Sequence, residues 1–320
     1  MKPFNLIPYD SNYNFMRLRW VSLALTALLT LAAVGLIAAK GFNFALDFTG
    51  GTGIELRFAK PVEVEDVRRR LEKAGFENPQ VQTFGSGNDL LIRLQSKPPA
   101  GAGDDATTSI ASQVQRAASS ADNPGQVMSS EVVGAQVGKD LAINGIWALI
   151  FVVVGFLIYI SFRFEKKFAI AAIITTLSDI TIVAGWFALT QHEFDLTVLA
   201  GILSVLGYSI NDKIVVFDRV RENFRSMRAD PETILNKSIN QTLSRTIIVS
   251  FVAFLTVLAL YLYGGGSLQG MAEAQMIGIV LGTLSSIFAA CPLLTLGFLK
   301  VTKQDLMPKA KDEEAMARRP

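Results

Sequence analysis

This chain of 320 residues has almost none of the residues that most catalytic and metal sites need. It contains one cysteine, Cys291, and one histidine, His192. A single thiol excludes an internal disulfide, and a lone histidine excludes the His/Cys clusters that hold zinc. No G-x-x-x-x-G-K-[ST] loop is present, so no nucleotide is expected, and nucleic acid, cofactor and metal are not expected either. Charge is sparse: 18% of the residues are Asp, Glu, Lys or Arg and the net charge is +2, against 50% hydrophobic residues and a mean hydropathy of +0.37. A chain this long and this apolar is expected to be an integral membrane protein, not a soluble domain.

Six runs reach the roughly 20 apolar residues that a spanning helix needs. They cover 20–39, 141–160, 168–189, 197–217, 246–263 and 271–299, the last with spare length and with Pro292 as a possible kink. Lys and Arg in the flanks and short loops set the orientation. Eighteen of them fall in the flank 1–19, the loops 161–167 and 218–245 and the tail 300–320, and none in the loops 190–196 and 264–270. Both termini are therefore expected in the cytoplasm. The segment 40–140 lies on the other face, where a long translocated domain escapes the charge rule. The first run follows Arg17 and Arg19 but is too long, with no clean small-x-small site at its end, so a retained helix is expected in place of a cleaved signal.

Within 40–140, TGIELRF (52–58) alternates as a strand, and Val64, Val67 and Leu71 recur at helical spacing up to Gly75. QVQTF and LLIRLQ flank GSGND as a hairpin, a helical stretch covers about 104–120, and a last strand falls near 126–133. The order β-α-β-β-α-β is that of a ferredoxin-like α+β unit, and KPPAGAGDD (97–105) marks a flexible connection inside it. Such a fold hosts many functions, so contact with another chain and a plain packing cap both stand as readings. Just before it, Asp47-Phe48-Thr49-Gly50-Gly51 occupies the turn from membrane to domain. Paired glycines allow positive φ and Asp with Thr can cap a turn, so the segment reads as a structural hinge.

The residues that demand explanation are ionisable ones at membrane depth. Each costs roughly 2.5–3.5 kcal/mol on insertion scales, so it persists where it pairs, lines a wet path or does a job. Asp179 lies mid-run in TTLSDITIV, and Asp212 and Lys213 lie in GYSINDKIVVFDRVRENF. Gly201, Ser204, Tyr208 and Asp212 recur at three- or four-residue spacing as one small and polar stripe. Arg245 is the cation expected beside Asp212, and Lys213, about 100° round the helix, is expected to snorkel to the interface. In the last run Ala274, Gly278, Gly282, Ser286 and Ala290 place a small residue at every fourth position, a helix-packing seam. Three readings of the carboxylates remain: a buried pair that fixes register, a proton relay, and an aspartyl protease, which the N-D-K setting of Asp212 disfavours.

LDFTGGTGIEL after the first run, VGAQVGKDL before the second, DLTVLAGILSVLGYSINDKIVVFDRVRENFR through the fourth and SINQTLSRTI after it together resemble the SecF family. The resemblance covers nearly the whole chain. It implies an α-helical membrane protein whose six helices form half of a twelve-helix bundle similar to the resistance-nodulation-division transporters, completed by a SecD partner in the bacterial inner membrane. It implies export of polypeptides beside a SecYEG-type translocon, driven by the proton motive force, with Asp212 as proton carrier, Arg245 as its charge partner, Asp179 at an acidic position of less defined role and a further carboxylate on the SecD side. Lys213 departs from the Ser or Thr expected at its position. A passive subunit that stabilises the translocon and a small-molecule exporter are the rival readings.

Overall fold

Long apolar runs without breakers favour helices, and the computed structural model, which describes residues 11–76, 79–84, 88–94, 104–120 and 122–302, holds six that are long and apolar enough to cross a membrane. They are α1 (Arg19–Lys40, led by a 3-10 turn Phe15–Leu18), α5 (Ala135–Arg163), α6 (Lys166–Thr190), α7 (Leu196–Ser226), α8 (Pro231–Tyr263) and α9 (Gly266–Ser285). Two have sequence-encoded starts: Asp195 accepts from the Val198 N–H (2.6 Å), and Asp230 caps the Thr233 N–H (3.0 Å) ahead of Pro231. α7 and α8 run well beyond the apolar stretches, so most of 218–245, expected as a loop from its charge, is helical. The flank 1–10, the tail 303–320, the tip 85–87 of the hairpin and 97–103 lie outside the described residues.

Burial separates inner helices from outer ones. The most apolar windows of α6, α7 and the span containing α9 are 61%, 50% and 56% buried, whereas those of α1, α5 and α8 are 6%, 6% and 17% buried. The inner three therefore make the core of the bundle. The seam of small residues is what lets them close: a Cβ on Gly278 would stand 2.1 Å from Val205 Cγ2, and one on Gly282 would stand 3.3 Å from Ser209. Gly201 meets the Met271 carbonyl in the same way at 2.9 Å, with Ala274 beside it. After Ser285 the helix widens into a π turn, Ser286–Ala290, and ends with α10 (Cys291–Leu293). Pro292 explains the place, because its ring crowds the carbonyl four residues back and it has no N–H to give it. The last run is thus a helix, a π turn and a stop, not one continuous helix over 271–299.

Between α1 and α5 lie β1 (Asn43–Phe44), α2 (Leu46–Thr49), β2 (Gly51–Phe58), α3 (Val64–Lys73), β3 (Gln80–Phe84), β4 (Asp89–Leu94), α4 (Asp104–Ala118) and β5 (Gly125–Val133). The four longer strands form one antiparallel sheet in the order β3-β4-β2-β5, so the β-α-β-β-α-β unit has its first and third strands at the centre. Alternation along the strands puts Ile54, Leu56, Leu90 and Ile92 on the face covered by Val67 and Leu71 of α3 and Val114 of α4. A second core, in the bundle, contains Phe168, Phe187, Val205, Phe217 and Phe224. The two halves are joined by a short parallel pair that pattern reading cannot find: β1 pairs with β6 (Glu193–Phe194) in the connection between α6 and α7, Phe44 opposite Phe194.

Candidate functional site

The charged residues of the inner helices gather at the middle of the bundle. Asp179, on α6, is 1% exposed, and three donors converge on its Oδ2: the hydroxyl of Ser209 (2.6 Å), the ammonium of Lys213 (2.8 Å) and the hydroxyl of Ser285 (2.7 Å). Lys213 is completely buried and also donates to Ser209, one turn earlier on α7. Asp179 and Lys213 are thus a buried ion pair whose remaining needs are met by hydroxyls from two helices, the arrangement that makes burial of two charges tolerable.

Asp212 is the neighbour of this pair and is treated differently. Its Oδ1 accepts from the Thr246 hydroxyl of α8 (2.9 Å), while its Oδ2 is buried without a hydrogen-bond partner. Ser286, in the π turn, stands beside it, but that hydroxyl donates to the Thr283 carbonyl (2.9 Å). Thr283 donates in turn to Ser250, which also receives the Tyr208 hydroxyl. The site thus draws on α6, α7, α8, α9 and the π turn.

Two expectations are corrected here. Lys213 does not snorkel: α7 continues for 13 more residues, about 20 Å of helix, so its short stem cannot reach the end and turns to Asp179. Arg245 is exposed and forms no ion pair with Asp212 within 4 Å, although its charge, like that of Lys213, acts on that carboxylate. The face of α7 that meets α9 is Gly201, Val205 and Ser209; along the small and polar stripe, Tyr208 donates to Ser250 of α8 and Ser204 is exposed. Ser209 and Ser285 were missed altogether. The available signal was Ser209 four residues before a lysine at membrane depth, because a buried ammonium needs acceptors on its own face of the helix.

Asp47–Gly51 lies at the other end of α7. The Asp47 carboxylate accepts from the Leu196 N–H (3.0 Å), and Phe48 packs near Phe44 and Phe194. Thr49 donates to the Ala45 carbonyl (3.1 Å), and Gly50 and Gly51 take φ of 71° and 134°. Only glycine suits Gly51, where a Cβ would also meet the Leu94 carbonyl at 2.7 Å. Beside this segment a cleft of about 480 Å³ opens between the sheet and the ends of the bundle, lined by charged groups of both halves. In it Arg93 of β4 pairs with Glu193, and His192 meets Glu273 of α9 (2.9 Å), which also accepts from the Trp186 ring N–H (2.6 Å). Burial lowers Arg93 to about 10 against the pull of Asp195 and Asp47. Burial also raises Asp195 above its ordinary range despite its hydrogen bonds from Val198 and Thr197. Glu55 is raised by burial and then by Glu131 and Asp89.

Six apolar helices and a carboxylate-bearing bundle define a multi-pass membrane protein, and comparison with known proteins makes the class specific. The family model for the protein export membrane protein SecD/SecF, C-terminal, matches residues 113–299, and that for the SecD/SecF GG motif matches 35–62, which includes Asp47–Gly51. The protein translocase subunit SecF of Pseudomonas aeruginosa is 44% identical over 93% of this chain and 95% of its own length. The SecF of Vibrio alginolyticus is 38% identical over 97% of both. The fused protein translocase subunit SecDF of Brucella abortus is 37% identical over 94% of this chain and 39% of its own. The crystal structure of SecDF, a translocon-associated membrane protein from Thermus thermophilus, superposes with a TM-score of 0.81 at 38% identity, covering 92% of this chain and 39% of that one. The chain belongs to the SecF family of protein translocase subunits, and its role is in protein export.

Proposed function

We propose that this subunit couples the proton motive force to a late stage of polypeptide export across the bacterial inner membrane, with Asp212 as the proton carrier. The observation that carries the reading is the Asp212 Oδ2, buried at membrane depth without a hydrogen bond while the Ser286 hydroxyl beside it is turned to the Thr283 carbonyl. An ionisable group held that way inside a membrane bundle is the place where a proton can be taken on and given off. Both termini are cytoplasmic in this reading and the sheet domain faces outward, where it contacts the emerging chain beside a SecYEG-type translocon. A SecD-like partner completes a twelve-helix bundle similar to the resistance-nodulation-division transporters. In support, α1, α5 and α8 present large apolar side chains such as Trp20, Leu31, Phe151, Phe162 and Phe251 to the outside of the isolated chain. Arg245, exposed on α8, acts through its charge on Asp212 as that carboxylate's charge partner. Asp47–Gly51 serves as the joint between membrane and domain.

Inverted membrane vesicles that also contain the partner subunit test this. Asp212→Asn is expected to abolish the stimulation of export by a proton gradient while the complex still assembles. Normal gradient-driven export by an assembled variant rejects the carrier role. Failure to assemble favours a passive subunit in which the buried charges only fix helix register.

A further inference from the structure

Two carboxylates and one ammonium share the middle of the bundle, so the number of protons this chain can hold there is not given by counting acids. The buried ion pair and the hydrogen-bond geometry bear on it. An ionised carboxylate only accepts, whereas a protonated one must also donate. Three donors end on Asp179 Oδ2, one of them the buried ammonium of Lys213. That oxygen is fully occupied as an acceptor. Asp212 accepts from Thr246 on Oδ1, and its other oxygen is enclosed beside the Ser286 hydroxyl, which is turned to the Thr283 carbonyl.

From this, and resting on the proton-carrier reading above, we infer that Lys213 is a resident counter-ion that keeps Asp179 ionised, leaving Asp212 as the one carboxylate of this chain's bundle that exchanges a proton. The O–H bond forms at Asp212 Oδ2 with a proton from water and breaks to return it to water, while Asp179 and Lys213 keep their charges throughout. Lys213 is a positioning residue: it acts by assigning the proton to its neighbour in sequence. Besides these three, the charged and titratable groups facing Asp212 are Arg245 from α8 and the Cys291 thiol from α10. The arginine stands on the exposed side. The internal cation is therefore lysine, at a position where the family resemblance leads one to expect an uncharged hydroxyl.

The test is infrared difference spectroscopy of the complex with its partner subunit in lipid vesicles, following the carboxylic-acid C=O stretch as pH is changed. Bands from the partner are recognised because no variant of this chain removes them. Relative to wild type, Asp212→Asn is expected to remove one band. Lys213→Met is expected to add one, as Asp179 becomes protonated, and Lys213→Met with Asp212→Asn returns the count to one. Lys213→Arg is expected to keep the wild-type pattern. If Lys213→Met does not fold, Asp179→Asn serves: it releases Lys213 to Asp212, so the Asp212 band is expected to disappear although that residue is intact. Persistence of the band in Asp179→Asn, or no added band in Lys213→Met, overturns the assignment while leaving Asp212 as carrier. A wild-type spectrum from which Asp212→Asn removes nothing overturns the carrier reading and the assignment together.

Discussion

The molecule has two clusters of charge, and they obey different rules. In the bundle, Asp179 and Lys213 are enclosed at 1% and 0% exposure with hydroxyls matched to the remaining donors and acceptors. At the junction, Arg93 is as deeply buried, but Glu193, His192 and Glu273 keep contact with a cleft of about 480 Å³. The first cluster has no solvent to absorb a change, so its charge state is fixed by stoichiometry. The second can be rearranged by water and salt. Chemistry that needs a defined proton count belongs in the first, and contacts that must be made and broken between two bodies belong in the second.

The contrast can be broken by stripping both carboxylates from the buried lysine. Asp179→Leu with Asp212→Asn leaves Lys213 without a counter-charge, and denaturation in detergent is expected to register a loss of about 3–5 kcal/mol. Adding Lys213→Met is expected to restore most of it. Next in size is the seam that presses α9 onto α7: Gly278→Ala puts a methyl into Val205 and is expected to cost about 1–3 kcal/mol in the same assay. At the junction, a double-mutant cycle of Arg93→Met and Glu193→Gln is expected to give a coupling of about 1 kcal/mol, because Glu193 retains 27% exposure. That coupling should fall with added salt. The equivalent cycle on Asp179 and Lys213 should not, and a salt-sensitive result there would erase the distinction.

The smallest effect sharpens the comparison by pH. Burial raises Asp195 in the folded protein above its ordinary value near 3.8. The folded state therefore holds the proton more tightly than the unfolded chain, and the associated stability is full below the ordinary value and lost as pH rises through the folded one. Asp195→Asn keeps an N-cap acceptor and removes the charge. It is expected to match wild type at low pH and to exceed it by under about 1 kcal/mol near neutrality, measured as the difference between their denaturation midpoints across pH.

Much of this architecture was legible from sequence because it rests on local periodicity. Apolar runs of membrane length, the β-α-β-β-α-β order and the every-fourth small residues of α9 each repeat a pattern over many residues. The partner of Lys213 was not legible. Which face of α7 turns into the bundle depends on Gly278 and Gly282 of α9 admitting Val205 and Ser209, a tertiary fit that no window on α7 contains. The same holds for the pairing of β1 with β6, two residues on each side and too short for any alternation. The helical continuation of α7 and α8 past the apolar runs was hidden because hydropathy marks what is apolar, not what is helical.

Cys291 opens α10 directly after the π turn, wholly enclosed and close enough to feel the charge of Asp212. As the sole thiol of the chain it is a gauge already installed beside the carboxylate proposed to carry the proton. A maleimide that cannot penetrate packed side chains can label it only in whatever fraction of the working cycle brings water to Asp212, so the labelling rate under a proton gradient times the opening of the site without altering a single residue.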